Sequence, residues 1–265
     1  MGVESRAVSS RRQVLKIALA GAASTALGRS ATPVLGLIQP VEASVPAEAA
    51  ALYPRGVRFQ ALSVGLKTMT PEGYDQVLEH IAPTAEALAR AGADAIVLMG
   101  TSLSFYRGAS FNGELARRIH VASGRPATTM STAVCDGLRA FRARRLAVAT
   151  AYDADVNQRL RTFLHEEGFD VRVIRGLGVE RVEDIKSVTR AGLMKFSTDV
   201  FESADRADAL LISCGGLHTL DMLAPLEQRC GVPVVSSLPH ALRAGVRLLG
   251  LSGRTKGYGR LFAMS

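Results

Sequence analysis

Cys214-Gly215-Gly216 closes an apolar run, Ala209-Leu210-Leu211-Ile212-Ser213, in the second half of a 265-residue chain. A thiol can give or take a proton, and glycines leave backbone N–H groups uncovered for an anion. The first half holds a counterpart. Ala93-Asp94-Ala95-Ile96-Val97-Leu98-Met99-Gly100-Thr101-Ser102 lines up with Ala207 to Gly216, so Gly100 stands where Cys214 does and two hydroxyls follow it. Pro126 to Ser131 matches Pro233 to Leu238, and Val34 to Pro40 matches Leu146 to Tyr152. The offsets are all about 110 residues, which suggests two similar lobes rather than a short-period solenoid. Tyr152, at the exit of a repeated strand, adds a phenol. These pieces form a carboxylate or enediolate cradle beside a proton-donating thiol. One wall would carry the thiol, and the other nothing able to exchange a proton.

The elements that must hold these groups alternate. Apolar runs read as strands at 34–38, 58–64, 94–99 and 127–131, then again at 145–151, 171–175, 208–213 and 233–237. Between them, helical patterns fall at 70–91, 111–123, 132–143, 153–167, 181–204, 218–230 and 239–249. Thr70-Pro71-Glu72 supplies a cap, a proline at the first helical position and an acid in the first turn. Repeated βα units predict an α/β fold of two pseudo-symmetric lobes, each a parallel sheet flanked by helices. The lobes are expected at 32–143 and 144–265, with a chain crossover near the C-terminus. Ligands on such sheets sit beyond the carboxyl ends of the strands, so 100–102 and 214–216 should face one cleft.

The net charge of +8 invites a nucleic-acid partner, yet tryptophan is absent and aromatics are 5%, so stacking platforms are scarce. Half of the excess sits in residues 1–30, where Arg6, Arg11, Arg12, Lys16 and Arg29 face only Glu4. Arg11-Arg12 precedes an Ala- and Gly-rich apolar stretch, Ile17 to Gly28, the layout of a twin-arginine export signal. Residues 1–31 are therefore expected to engage that export machinery and take the protein to the periplasm or outside the cell. A mis-chosen start, leaving a cytoplasmic protein, is the other reading. Neither a nucleic-acid partner nor a stable membrane anchor is expected, since no apolar run reaches the roughly 18–20 residues of a spanning helix. Cys135, Cys214 and Cys230 are too far apart for a disulfide framework or a zinc pattern, and the five histidines are scattered, so no metal is proposed.

The longer stretches resemble the arylmalonate decarboxylase family, cofactor-free members of the aspartate/glutamate racemase superfamily, over nearly all of residues 32–262. Carrying the resemblance are Thr70-Pro71-Glu72-Gly73-Tyr74-Asp75, Leu98 to Gly108, Thr129 to Val134 and Ala149-Thr150-Ala151-Tyr152. Ser213-Cys214-Gly215-Gly216-Leu217 and Gly257-Tyr258-Gly259-Arg260-Leu261-Phe262 complete it. The resemblance implies loss of CO2 from an α-disubstituted malonate, a small dicarboxylate, without metal or cofactor. Thr101, Ser102, Tyr152, Gly215 and Gly216 would hold the retained carboxylate and enediolate. Leu66, Met69, Val182, Ile185 and Pro40 would form an apolar wall for the departing carboxylate, and Cys214 would deliver the proton. Racemases and maleate cis–trans isomerases of the superfamily carry a cysteine in each half; this chain keeps only the second.

Simpler readings stand beside these. A lone buried cysteine is ordinarily an inert small hydrophobe, and only the repeat and the family pattern lift Cys214 above that. Cys135 and Cys230 fall in helical segments and read as core or partly exposed thiols. His218 reads as a solvent-facing helical residue, four positions past Cys214. Two other functions remain open: a racemase or isomerase of the same superfamily, and an exported protein that binds carboxylates without catalysis. A thiol among N–H donors at a helix start tends toward thiolate, whereas an apolar wall raises its pKa; the sequence leaves that contest undecided.

Overall fold

The computed structural model describes residues 32–179 and 181–264, so the expected export segment lies outside it. Four strands, β1 (Val34–Gln39), β2 (Arg58–Ser63), β3 (Ala95–Leu98) and β4 (Ala127–Thr129), form a parallel sheet in the order β2-β1-β3-β4. Strands β5 (Arg145–Thr150), β6 (Asp170–Gly176), β7 (Ala209–Ser213) and β8 (Val234–Ser236) repeat the arrangement as β6-β5-β7-β8. The sequence repeat is thus a repeat of topology. One polar bond recurs with it: Asp94 Oδ2 accepts the N–H of Val34 at 2.9 Å, and Asp208 Oδ2 accepts that of Arg145 at 2.9 Å.

Parallel strands with helices on both faces are apolar throughout their length, and here every residue of β3 and β7 is buried. The covering helices are α1 (Ala47–Leu52), α2 (Pro71–Arg90), α3 (Thr101–Phe105), α4 (Ala109–Ser123) and α5 (Met130–Ala140). In the second half they are α6 (Ala154–Glu166), α7 (Arg190–Glu202), α8 (Leu223–Cys230), α9 (Ser237–Leu248) and α10 (Arg260–Ala263). Thr70 caps α2 by accepting the N–H of Gly73 at 3.3 Å. Helix α9 crosses over and packs on β3 and β4 of the first sheet. Gly245 permits that approach, because a Cβ there would lie 2.6 Å from side-chain carbons of Leu35 and Val97.

Two expected helices differ. The span 181–204 is broken into a 3₁₀ turn, Val182–Ser187, and α7. Thr189 makes the break, its side chain accepting the N–H of Gly192 at 3.1 Å as a fresh cap. The helix expected from 218 starts later, with a 3₁₀ turn at Leu220–Met222 and then α8. Pro225 is tolerated only within a first helical turn, which keeps His218 and Thr219 out of the helix. The short helices α1, α3 and α10 carry too few residues for a periodic pattern.

Candidate active site

Strands β1, β3, β5 and β7 all end at one side, and their exit segments line a cavity of about 300 Å³. Pro40 follows β1, Gly100-Thr101-Ser102 follows β3, Tyr152 follows β5 and Cys214-Gly215-Gly216 follows β7. The remaining wall comes from the segment after β2, through Leu66 and Met69, and from the 3₁₀ turn, through Val182 and Ile185. All of the residues singled out by sequence therefore line the same cavity. An antiparallel bridge between Thr68 and Arg181 ties these last two segments together.

Cys214 is 6% exposed and has φ 155°, one of three non-glycine residues with positive φ among those described. Its N–H donates to Ser237 Oγ at 3.2 Å and its carbonyl accepts from Leu217 at 3.2 Å. The thiol faces the backbone N–H groups of Gly216 and Leu217 and the hydroxyl of Tyr152, all of which favour thiolate. Burial outweighs them and pushes the thiol up to about 11. The contest left open by the sequence is decided for the protonated form. Cys214 also sits at a strand exit followed by a turn rather than at a helix start.

The hydroxyls gather opposite. Thr101 Oγ1 lies 2.9 Å from the sulfur of Met130. Tyr152 Oη lies 3.4 Å from Ser213 Oγ and faces Thr101 and Cys214, while full burial raises its pKa well above that of a free phenol. It therefore stays a neutral donor. A side chain at either glycine would be tight: a Cβ on Gly215 would meet Met130 Sδ at 3.0 Å and Met99 O at 3.2 Å, and one on Gly216 would meet Ile185 at 3.0 Å, so these neighbours would have to give way. Leu66, Met69 and Ile185 are each less than a tenth exposed and bring no polar atom to their wall. Among the described residues, no three of His, Cys, Asp or Glu gather closely enough to hold a metal ion.

Some residues at the site were not singled out by sequence. Tyr74, at the start of α2, is fully buried behind the cavity wall; its hydroxyl faces Ser102 without a hydrogen bond of normal geometry. Its signal lies in Gly73-Tyr74-Asp75, a stretch that carries the family resemblance without assigning Tyr74 a site role. His218 is on the rim, side chain 85% exposed as expected, but outside any helix; its Nδ1 is 3.6 Å from Oε1 of buried Glu48, whose pKa burial raises. Lys186 and Glu42, 3.5 Å apart, span the mouth. Cys135 is buried in α5 and Cys230 half-buried at the end of α8, both away from this cavity.

Against known proteins, residues 35–262 match the family model described as arylmalonate decarboxylase. The chain is 49% identical over 236 residues to the arylmalonate decarboxylase of Bordetella bronchiseptica, covering 88% of this chain and 98% of that protein. A crystal structure of an arylmalonate decarboxylase double mutant, glycine to cysteine and cysteine to serine, in liganded form, superposes with a TM-score of 0.85 at 48% identity, covering 88% and 99%. The maleate isomerase of Nocardia farcinica is 25% identical over 241 residues, 86% of this chain and 94% of that one.

The thiol's protonation is directly measurable. Thiolate absorbance near 240 nm, with a Cys214→Ser variant as blank, should titrate with a midpoint near 11. A midpoint below that of free cysteine would mean that the N–H groups prevail over burial.

Proposed function

The chain belongs to the arylmalonate decarboxylase family and is a decarboxylase of that kind, and on this premise we propose that it converts α-aryl, α-disubstituted malonates to chiral monocarboxylic acids and CO2, with Cys214 as the proton donor. The carbon–carbon bond to one carboxylate breaks, and its electron pair passes into an enediolate on the retained half. The Sγ–H proton of Cys214 then bonds to the α-carbon, and the thiolate regains a proton from solvent.

Each part of the cavity suits one part of that sequence. The hydroxyls of Thr101, Ser102 and Tyr152 and the N–H groups of Gly215 and Gly216 lie where negative charge grows, and losing one such donor costs about 3 kcal/mol of transition-state stabilisation. The departing carboxylate lies against Leu66, Met69, Val182, Ile185 and Pro40, which offer it no hydrogen bond, so expulsion as neutral CO2 relieves a desolvated charge. The observation that carries the reading is the lone protonated thiol on one wall, with Gly100 at the equivalent point of the other. A racemase needs acid and base on both faces, and Gly100 supplies neither. A pure carboxylate binder has no use for the thiol.

We also infer that residues 1–31 serve as a twin-arginine export segment, which carries its cargo already folded. Arg11-Arg12 ahead of the apolar stretch supports this. The family match spans residues 35–262 and so lies beyond this segment.

Two measurements check these readings. With a panel of α-aryl-α-methylmalonates and no added metal, the protein should release CO2, and Cys214→Ser should lower the rate by about a thousandfold, within the range for losing a positioned acid. Tight binding without CO2 would favour the non-catalytic protein instead. For export, the double exchange Arg11→Lys, Arg12→Lys should hold the protein in the cytoplasm; unchanged export would remove the twin-arginine reading.

A further inference from the structure

Helices α5 and α9 lie side by side, and a cavity of about 410 Å³ opens between them that, among the described residues, shares no lining residue with the active site. Its floor is apolar, from Ala133, Leu248, Leu261 and Met264. Its polar groups are mostly donors. His240 is 2% exposed, and its Nδ1 accepts the N–H of Ser236 at 3.1 Å. Burial pushes its pKa down to about 3, so the ring is neutral and the proton sits on Nε2, which has no acceptor.

Arg243, one turn along α9, is 9% exposed. Its Nη2 donates to the carbonyl of Met264 at 3.0 Å, its Nε–H has no acceptor, and among the described residues no carboxylate pairs with it. Arg247, a turn further on and exposed, also lines the cavity, with its Nη1 donating to the carbonyl of Ser252 at 3.4 Å. Among the described residues the one acid in the lining is Asp136, already shared with Arg139 at 3.6 Å. Two guanidiniums against one shared carboxylate leave room for a single negative charge. Burying a guanidinium without a counter-ion is strongly unfavourable, and a planar carboxylate matches the guanidinium fork better than a spherical ion.

We propose that this cavity is a second binding site, for a small monocarboxylate with an apolar body. The carboxylate lies between Arg243 and Arg247, and the body rests on Leu248, Leu261 and Met264. The reaction proposed above would release acids of this class, but the assignment rests on the cavity's own chemistry. Both walls lead to the catalytic groups: α5 begins at Met130, against Thr101, and α9 at Ser237, which holds the N–H of Cys214.

The test counts bound ligand by equilibrium dialysis of the full chain against 4-fluorophenylacetate, read by ¹⁹F NMR. Whatever the active site itself retains, the native protein should bind one equivalent more than Arg243→Met. That variant removes a buried unpaired charge at nearly constant volume, so its thermal midpoint should be no lower. Arg247→Gln, on the surface, should weaken the same binding by about tenfold and serves as the deciding variant if Arg243→Met does not fold. Equal uptake by the native and Arg243-substituted proteins, or native-like affinity in Arg247→Gln where that variant decides, would overturn the proposal.

Discussion

A thiol shut away from water keeps its proton, and the chemistry of this site depends on Cys214 doing so. Three groups pull it toward thiolate: the N–H of Gly216, the N–H of Leu217 and the hydroxyl of Tyr152. They are the same kind of donor that an enediolate needs, so a site able to stabilise the intermediate necessarily also tempts the acid to ionise. Burial resolves the conflict. With the thiol held near 11, the donors remain available for charge on the substrate, while the proton waits on sulfur until the more basic carbanionic carbon appears. The same burial keeps Tyr152 neutral.

Duplication explains how the groups meet, and divergence explains what they do. Two sheets with the same strand order present matching exits, and each half contributes a segment after its third strand. One became Gly100-Thr101-Ser102, with hydroxyls and no acid; the other became Cys214-Gly215-Gly216, with an acid and bare backbone. Packing holds the asymmetry in place. Met130 and Ile185 close the space over the two glycines, and Leu103 and Pro40 press on the empty position at Gly100, where a Cβ would meet them at 3.0 and 3.3 Å.

Much of this was legible in the sequence because it rests on short-range pattern. The unbroken apolar runs of β3 and β7 mark buried parallel strands, and the matched Ala-Asp-Ala openings mark the repeat whose aspartates make equivalent bonds. Strand exits then locate the cavity, since parallel sheets gather their ligands there. The losses have physical causes. Tyr74 comes to lie behind the cavity wall through the packing of α2, which no local pattern reports, and α3 is too short for periodicity. Thr189 looks like an ordinary helical residue until its side chain caps α7. Pro225 did carry a signal against a helix from 218, and the helical reading of His218 passed over it. The cavity between α5 and α9 exists only because α9 crosses to the other sheet, which brings Arg243 and Asp136 to one place.

One-sided proton delivery is the central claim, and the stereochemistry of labelled product tests it most directly. Decarboxylation of an α-aryl-α-methylmalonate in D2O, with product analysed by chiral chromatography and NMR, should give one enantiomer bearing a single deuterium at the α-carbon. A racemic product, formed at the native rate, would mean that the enediolate takes its proton from both faces or from solvent, and would contradict the role assigned to Cys214.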